Sequence, residues 1–275
     1  MAHSALGVCS WSLQVSNIPD LVRLSSEVGA EVVQVGIGDP THGAWDEGES
    51  FVEALQASGL ELSGTMIGFP GEDYTSPATI RESGGFGDPA LRTERLGIFR
   101  YAVDKTAELG LQCLCSHAGF IPEADGPERS SFLDCISEAA QYAADKGVLF
   151  TMETGQETAA LLRRTLDELK MSSLRVNFDP ANMILYDMGN PIEAIEILGA
   201  DIAHVHAKDA NPPLESGQWG EEVPLGEGSV GMAAFVEALD KAGYCGPLVV
   251  EREVGDQQER VAAIKQGISV LRGLA

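Results

Sequence analysis

The sequence predicts a single (β/α)₈ (TIM) barrel that spans residues 1–275 as one domain. Strand patterns alternate with helical patterns eight times along the chain, which is typical of a parallel sheet with helices outside it. Several predicted helices are closed by a glycine just before the next strand, as in short αβ loops. Acidic and histidine side chains gather at the carboxyl ends of the later strands, where barrel enzymes carry their sites. A doubly wound open sheet is the alternative, but no glycine-rich nucleotide fingerprint follows the first strand.

The eight predicted units follow one another without a linker or a change in composition. The predicted strands are Leu6–Ser10, Glu31–Ile37, Glu61–Gly68, Leu111–His117, Val148–Glu153, Leu174–Asp179, Ile202–Lys208 and Leu248–Glu253. The predicted helices are Asn17–Val28, Glu49–Ser58, Arg92–Leu109, Pro127–Lys146, Glu157–Leu169, Pro191–Leu198, Val230–Ala242 and Gln257–Leu271. Pro180 cannot donate to a sheet ladder, so the sixth strand must end at about Asp179.

Two predicted loops exceed the usual length of a connection from strand to helix. They cover Phe69–Leu91 and Ala210–Ser229, and both lie on the face formed by the carboxyl ends of the strands. Long loops on that face usually form lids or substrate walls. Phe69, Phe86 and Trp219 offer apolar surface to bury, so we expect these loops to cover the site.

The composition excludes some classes of partner. The formal net charge is −24, and the 18 Lys and Arg residues are dispersed. Such a field repels nucleic acids and anionic membrane surfaces. There is no apolar run that could span a bilayer and no secretory pattern at the N-terminus, so we expect a cytoplasmic protein. The five cysteines are scattered and odd in number, which favours reduced, buried thiols over disulfides or a soft-metal site.

Four residues at the ends of strands five to eight form the candidate site: Glu153, Asp179, His206 and Glu251. The strand ends of a barrel converge, so these side chains are expected to meet. Each acid alone is most simply explained as salt-bridged or solvated, but three carboxylates and an imidazole in one pocket need a cation to offset their repulsion. Ligation by oxygen with one nitrogen suits one divalent ion of manganese, magnesium or cobalt, with zinc as an alternative.

Other polar residues surround this group. Those expected to contact the substrate are Trp11, His117, Asn182 and Lys208. Lys208 is also a candidate for an ion pair with Asp209 at the rim. His204 lies two residues before His206 on the same strand face, and we expect a core histidine or a partner of a ligand. Glu157 opens the fifth predicted helix, where the helix dipole favours a carboxylate regardless of function, so it is left out of the site.

Five segments resemble those of a known superfamily. They are Met-Glu-Thr-Gly-Gln-Glu, Asn-Phe-Asp-Pro-Ala-Asn, His-Val-His-Ala-Lys-Asp, Pro-Leu-Gly-Glu-Gly and Gly-Pro-Leu-Val-Val-Glu-Arg-Glu. In order and spacing they resemble the xylose isomerase-like TIM-barrel superfamily, and more narrowly its sugar phosphate isomerase/epimerase branch, which includes the ketose 3-epimerases. The resemblance implies that Glu153, Asp179, His206 and Glu251 bind the metal. It also implies that Glu153 and Glu251 are the acid/base pair.

The same superfamily contains other branches that this chain does not match. Apurinic endonucleases use three zinc ions and many histidines, whereas this chain has five histidines. Asn182 stands where those enzymes, and the epimerases, have a histidine. Xylose isomerases proper are longer and carry other catalytic motifs.

The predicted reaction is an epimerisation or isomerisation of a polyol carbonyl compound through an enediolate. One glutamate removes the proton beside the carbonyl, and the other returns a proton to the opposite face. Two alternatives stay open: a dehydratase or lyase acting on an inosose or 3-keto sugar, and a barrel that binds a sugar without turnover. The sequence favours an unphosphorylated sugar and is compatible with a homo-oligomer. Arg252, which could bind a phosphate, alternates with Glu251 and is expected to point away from the pocket.

Overall fold

The protein is described here by a computed structural model that covers residues 5–38 and 50–274. Eight parallel strands form the barrel. They are Leu6–Cys9 (β1), Val32–Gly36 (β2), Leu62–Met66 (β3), Cys113–Ser116 (β4), Leu149–Glu153 (β5), Leu174–Phe178 (β6), Ile202–Ala207 (β7) and Leu248–Val250 (β10). They are hydrogen-bonded in the order β1-β2-β3-β4-β5-β6-β7-β10, and β10 pairs with β1 to close the barrel. The predicted fold class is confirmed, while the prediction that residues 1–275 form one domain stays a prediction.

Helices pack around the outside of the barrel. They are Ile18–Val28 (α1), Ser50–Ala57 (α2), Pro77–Ser83 (α3), Arg92–Glu108 (α4), Pro127–Asp145 (α5), Ala159–Leu169 (α6), Pro180–Leu185 (α7), Pro191–Leu198 (α8), Met232–Lys241 (α9) and Gln257–Leu274 (α10). Polar side chains cap the N-termini of several helices. The Asn17 side chain accepts a hydrogen bond from the backbone amide of Asp20 at 2.8 Å at the start of α1, and Thr158 is the N-cap of α6. All eight predicted helices are present, although Glu49 lies outside the described residues.

The structure adds short elements that the sequence analysis did not predict. Two of the helices, α3 and α7, lie in segments that were interpreted as loops. A two-stranded antiparallel hairpin, Asp209–Asn211 (β8) with Glu221–Val223 (β9), lies inside the second long loop. Elements this short are missed because they contain too few residues to display a hydrophobic period.

The two long loops meet over the carboxyl ends of the strands. The indole of Trp219 donates to the carbonyl of Tyr74 at 3.2 Å and packs edge-on against Tyr186, with ring centroids 4.7 Å apart. Gly85 in the first loop has φ +52, and a Cβ there would lie 2.1 Å from the backbone of Ala118. Glycine is therefore required where this loop crosses the segment after β4.

All five cysteines are unpaired thiols, four of them buried and Cys245 exposed. This agrees with the prediction of reduced thiols. Among the described residues, no helix combines the length and the hydropathy needed to cross a membrane.

Candidate metal centre

Glu153, Asp179, His206 and Glu251 come together at the carboxyl ends of the strands, as the sequence predicts. Glu153 is the last residue of β5, and His206 lies in β7. Asp179 follows β6, and Glu251 follows β10. One ligand atom from each side chain lies within 4.8 Å of the others. All four side chains are buried, so their charges interact without the screening that water provides.

The three carboxylates surround one edge of the His206 ring. Nδ1 lies 2.6 Å from Oε1 of Glu153, 3.5 Å from Oε2 of Glu251 and 3.9 Å from Oδ2 of Asp179. A ring nitrogen and three carboxylate oxygens therefore converge on a single region. We refer to these four residues as the carboxylate–histidine cluster.

The opposite edge of the His206 ring is held by Gln34. Nε2 of His206 lies 2.6 Å from Oε1 of Gln34, while Nε2 of Gln34 donates to the carbonyl of Thr65 at 3.3 Å. Because the amide nitrogen is engaged elsewhere, the amide oxygen faces the histidine and accepts its Nε2–H. Nδ1 lies 2.6 Å from Oε1 of Glu153, so a protonated ring donates Nδ1–H to that carboxylate, whereas a neutral ring whose proton is on Nε2 offers the Nδ1 lone pair to a metal ion.

Asn177 and His204 lie directly beneath the cluster. The Asn177 amide nitrogen lies 3.3 Å from both Oε1 of Glu153 and Nδ1 of His206, and its oxygen lies 2.8 Å from Nδ1 of His204. Burial lowers the pKa of His204 to about 3, with His206 adding to the effect. His204 is therefore a neutral core histidine that orients Asn177, in line with the sequence expectation.

Oδ2 of Asp179 is a buried carboxylate oxygen of the cluster that has no hydrogen-bond partner. Oε2 of Glu153, which is also buried, has only Nε2 of His117 beside it, at 3.0 Å. Burial raises the pKa of Asp179 well above its usual range, and the charges of Glu251 and Glu153 add to this increase. Buried polar atoms without partners are rare in folded proteins. A divalent cation would satisfy Oδ2 of Asp179 and offset the repulsion among the three carboxylates, so the residues present fit a metal ion.

Glu251 is oriented by one residue on each of its two oxygens. The indole nitrogen of Trp11 donates to Oε1 at 2.7 Å, and Nζ of Lys208 donates to Oε2 at 2.9 Å. Burial alone would raise the pKa of this carboxyl, but the Lys208 ammonium and His206 outweigh burial and lower the pKa well below its usual range. Glu251 is therefore ionised at neutral pH.

Lys208 is buried among carboxylates. Its ammonium also donates to Oε2 of Glu253 at 2.5 Å and lies 3.8 Å from Oε2 of Glu222 on β9. The expected ion pair between Lys208 and Asp209 is wrong. Asp209 instead accepts three backbone N–H groups of the loop that follows β9, at 2.9–3.1 Å. Through these three amides the Asp209 carboxylate orders the loop.

The other residues predicted to contact substrate are placed as follows. Nε2 of His117 lies 3.0 Å from Oε2 of Glu153, so His117 faces the cluster. Asn182 is buried in α7, with its amide oxygen 3.5 Å from Nζ of Lys208. Arg252 pairs with Glu222 at 2.7 Å, and the expectation that it points away from the pocket stays a prediction.

Glu157 differs from the sequence expectation. It lies one residue before Thr158, the N-cap of α6, instead of inside the helix. Its side chain is buried, and burial raises its pKa to about 8, with the charge of Glu153 adding to the effect. Glu157 therefore belongs to the surroundings of the site.

Gln34 and Asn177 are the functional-site residues that sequence reasoning missed. The available signal was weak: each is a polar residue in the middle of an otherwise apolar strand, as in Val-Val-Gln-Val and Leu-Arg-Val-Asn-Phe. Side chains on alternate positions of a barrel strand point inward, so a polar residue at such a position is a candidate for supporting a site.

The fold and the site together define a (β/α)₈ barrel with a buried, oxygen-rich candidate metal centre at the carboxyl ends of its strands. The chain belongs to the xylose isomerase-like TIM barrel family, whose model matches residues 22–274.

Comparison with individual relatives supports the assignment to this family. A xylose isomerase domain protein from Planctomyces limnophilus has a crystal structure that is 30% identical, with a TM-score of 0.90 and coverage of 99% of this chain and 97% of that one. The L-ribulose-5-phosphate 3-epimerase UlaE of Escherichia coli (strain K12 / DH10B) is 27% identical over 173 residues, which are 61% of this chain and 59% of the relative. A barrel protein of the same kind from Mycobacterium smegmatis, solved in complex with magnesium, is 15% identical with a TM-score of 0.69 and covers 100% of both chains. At that identity it supports the fold alone.

Proposed function

We propose that this protein is a divalent-metal-dependent sugar epimerase or isomerase whose reaction passes through an enediolate. The observation that carries the proposal is the carboxylate–histidine cluster, with its unpaired buried oxygen on Asp179. The partial match to an L-ribulose-5-phosphate 3-epimerase supports a ketose-like substrate.

The ion would be held by Glu153, Asp179, Nδ1 of His206 and Glu251. This donor set, three carboxylates and one imidazole, suits manganese, magnesium or cobalt, with zinc as an alternative. When bound, the ion would supply Lewis-acid polarisation of a carbonyl and so make the neighbouring C–H more acidic.

The chain's own residues would move the proton. Glu251 is ionised and held by Trp11 and Lys208, so it is prepared to accept the proton from the carbon beside the carbonyl. The electron pair of that C–H bond would form the carbon–carbon double bond of the enediolate. Glu153 would start in its protonated form and give that proton to the opposite face of the same carbon, which inverts the centre and leaves Glu251 protonated and Glu153 ionised. The reverse reaction would use the two glutamates in exchanged roles.

His117 and Asn182 would orient the substrate. His117 lies beside Glu153 and can donate to a substrate hydroxyl. Asn182 is buried next to Lys208 and offers an amide to the same region. Lys208 would act through Glu251 instead of through substrate, because its ammonium is already bound by carboxylates.

The proposal is tested by solvent exchange. The metal-loaded enzyme would be incubated in deuterated water with free ketoses such as D-fructose and L-ribulose, and with their phosphates as a separate set. Deuterium at the carbon beside the carbonyl, with the mass otherwise conserved, supports epimerisation. Loss of water from the product would instead support the lyase alternative. Glu251→Gln should lower exchange by at least about a hundredfold, whereas Glu221→Gln on the exposed side of β9 should have no effect. Full activity of metal-loaded Glu251→Gln would contradict the assignment.

A further inference from the structure

The thiol of Cys9 lies on the side of the His206 ring that faces Gln34. Cys9 is the last residue of β1 and is fully buried in a small apolar cluster with Trp11 and Val249. Its Sγ lies 3.7 Å from Oε1 of Gln34, the same oxygen that lies 2.6 Å from Nε2 of His206. The reaction proposed above uses neither this thiol nor Nε2, so both are available for another role.

Cys9, His206 and Glu251 form a second group of potential metal ligands. One ligand atom from each side chain lies within 4.8 Å of the others, and all three side chains are buried. A tetrahedral zinc ion with bonds of about 2.0–2.3 Å holds its ligand atoms roughly 3.3–3.8 Å apart, so side-chain movements of about 1 Å would close the group around one ion. We refer to these three residues as the thiol site.

The sulfur donor changes the kind of metal ion that this group would hold. The carboxylate–histidine cluster offers three carboxylates and one imidazole, which suits hard ions. The thiol site offers one sulfur, one nitrogen and one carboxylate, and sulfur donors select softer ions such as zinc and its chemical relative cadmium. The ion would replace the proton of the Cys9 thiol, and that proton would leave to solvent. Oε1 of Gln34 is close enough to both Sγ and Nε2 to supply a fourth ligand.

The two sites would use opposite nitrogens of one imidazole. When an ion binds Nε2 of His206, the neutral ring carries its proton on Nδ1, which lies 2.6 Å from Oε1 of Glu153. A ring N–H that is donated to a carboxylate is the usual support of a metal-ligating histidine. Because a neutral imidazole has a single lone pair, an ion at Nε2 takes Nδ1 away from the cluster. Occupation of the two sites is therefore mutually exclusive.

We propose that Cys9, Nε2 of His206 and Glu251 bind a thiophilic divalent cation, such as zinc or cadmium, in competition with the hard ion of the carboxylate–histidine cluster. Such an ion would inhibit the enzyme, because it takes a ligand of the cluster and the proposed base Glu251. The inhibition rests on the proposed function, whereas the binding of the thiophilic ion does not. The scattered cysteines of the sequence did not indicate this site, since Cys9 and Glu251 meet only in the closed barrel.

The test titrates chelator-treated protein with Cd²⁺ and records the ultraviolet charge-transfer band from thiolate sulfur to cadmium. All proteins carry Cys245→Ser, because Cys245 is exposed and would contribute a band of its own. The band should saturate at one ion per chain, and Cys9→Ser should abolish it. Cys113→Ser is the matched control and should keep the band. That thiol is also buried in a barrel strand, but it contacts Thr151 at 3.5 Å and belongs to neither ligand group in the described part of the chain.

Asp179→Ala separates the thiol site from the cluster. Asp179 belongs to the cluster alone, so this variant should lose manganese and keep the sulfur–cadmium band. In Cys9→Ser, manganese should still bind, and the cadmium concentration that releases it should rise at least about tenfold, since losing a ligand costs at least as much as losing a residue that orients one. Electron paramagnetic resonance of free manganese measures the release. Cys9→Ala is measured in parallel, so that a folding defect in one variant does not decide the result.

Three results would overturn the proposal. They are the absence of a sulfur–cadmium band, a band that persists in Cys9→Ser and Cys9→Ala, and a band that Cys113→Ser abolishes as well. Loss of the band in Asp179→Ala would also overturn it, because the thiol would then belong to the ion of the cluster. Failure of the native protein to bind manganese would contradict the proposed function and would leave the expected band unchanged.

Discussion

Nε2 of His206 lies 2.6 Å from Oε1 of Gln34, on the edge of the ring opposite to the three carboxylates. The amide of Gln34 is itself fixed by the carbonyl of Thr65. This pair determines which nitrogen of His206 carries the proton, and therefore which nitrogen is free to bind a metal ion.

Gln34→Leu should weaken metal binding by about 10–100-fold, the usual cost of losing the partner that orients a metal-ligating histidine. The leucine leaves Nε2 without an acceptor, so the ring loses its fixed tautomer. Titration of chelator-treated protein with manganese would measure the affinity. Thr151→Val is the matched control, because Thr151 is also a buried strand residue but contacts Cys113 and a backbone carbonyl instead of the cluster. Equal affinity in the two variants would show that Gln34 does not orient His206.

Lys208→Met should destabilise the metal-free protein by about 3–5 kcal/mol. The side chains of Glu251 and Glu222 are only 4% and 5% exposed, and removing the lysine leaves their charges buried without a cation. Denaturation in urea, with midpoint and slope both fitted, would measure the loss. Lys241→Met removes an ion pair whose side chains are 73% and 66% exposed and should change stability by less than about 0.5 kcal/mol. Similar small effects in both variants would contradict the role assigned to Lys208.

One thiol per chain should react under native conditions. Burial raises the pKa of Cys9 to about 12 and that of Cys113 to about 11, and only Cys245 of the five is exposed. Because the thiolate is the reactive form, iodoacetamide at pH 8 should label Cys245 and leave the others until the protein is unfolded. Intact-mass spectrometry counts the labels, and peptide mapping locates them. Rapid labelling at a second cysteine would show that the barrel opens more readily than its packing indicates.

Glu157 should make stability fall as pH rises. Its carboxyl has a pKa of about 8 in the folded protein against an ordinary value of 4.5. Between these values the folded state holds a proton that the unfolded state has lost. The free energy of unfolding therefore decreases by up to about 1.4 kcal/mol per pH unit across that window.

Glu157→Gln removes this titration and keeps the shape of the side chain. The variant should gain stability relative to the parent protein as pH rises from 5 to 8, measured by denaturation at each pH. Glu138→Gln, at a carboxylate that is 53% exposed, should show no such trend. A constant difference between Glu157→Gln and the parent protein at all pH values would mean that Glu157 is ionised in the folded state.

The sequence predicted the barrel because eight units repeat one physical pattern. Strands rich in Val, Ile and Leu alternate with amphipathic helices, and this alternation is compatible with only a few fold topologies. The six residues of α7 lacked such a pattern. Pro180 correctly ended a strand, yet the same proline also begins this helix, with Asp179 as its cap. A proline is compatible with both roles, so the sequence alone did not separate them.

The site residues that stand at the ends of strands could be predicted from the sequence. The residues that orient other side chains of the site could not be predicted as well. Glu153, Asp179 and Glu251 were found because strand ends converge in a barrel. The partners of Lys208 come from distant segments, β9 and the end of β10, so their contacts depend on the closed fold. Gln34 was missed for the same reason, since it meets His206 across the barrel from 172 residues away.

The metal content of the purified protein is the most direct test of the proposed centre. Elemental mass spectrometry of the native protein and of Asp179→Ala, with Asp167→Ala as an exposed control, would measure it. We expect one equivalent of manganese, magnesium, cobalt or zinc in the native protein and in the control, and its loss in Asp179→Ala. No metal in the native protein and none taken up on addition, or an equal content in Asp179→Ala, would contradict the metal centre and the enediolate reaction built on it.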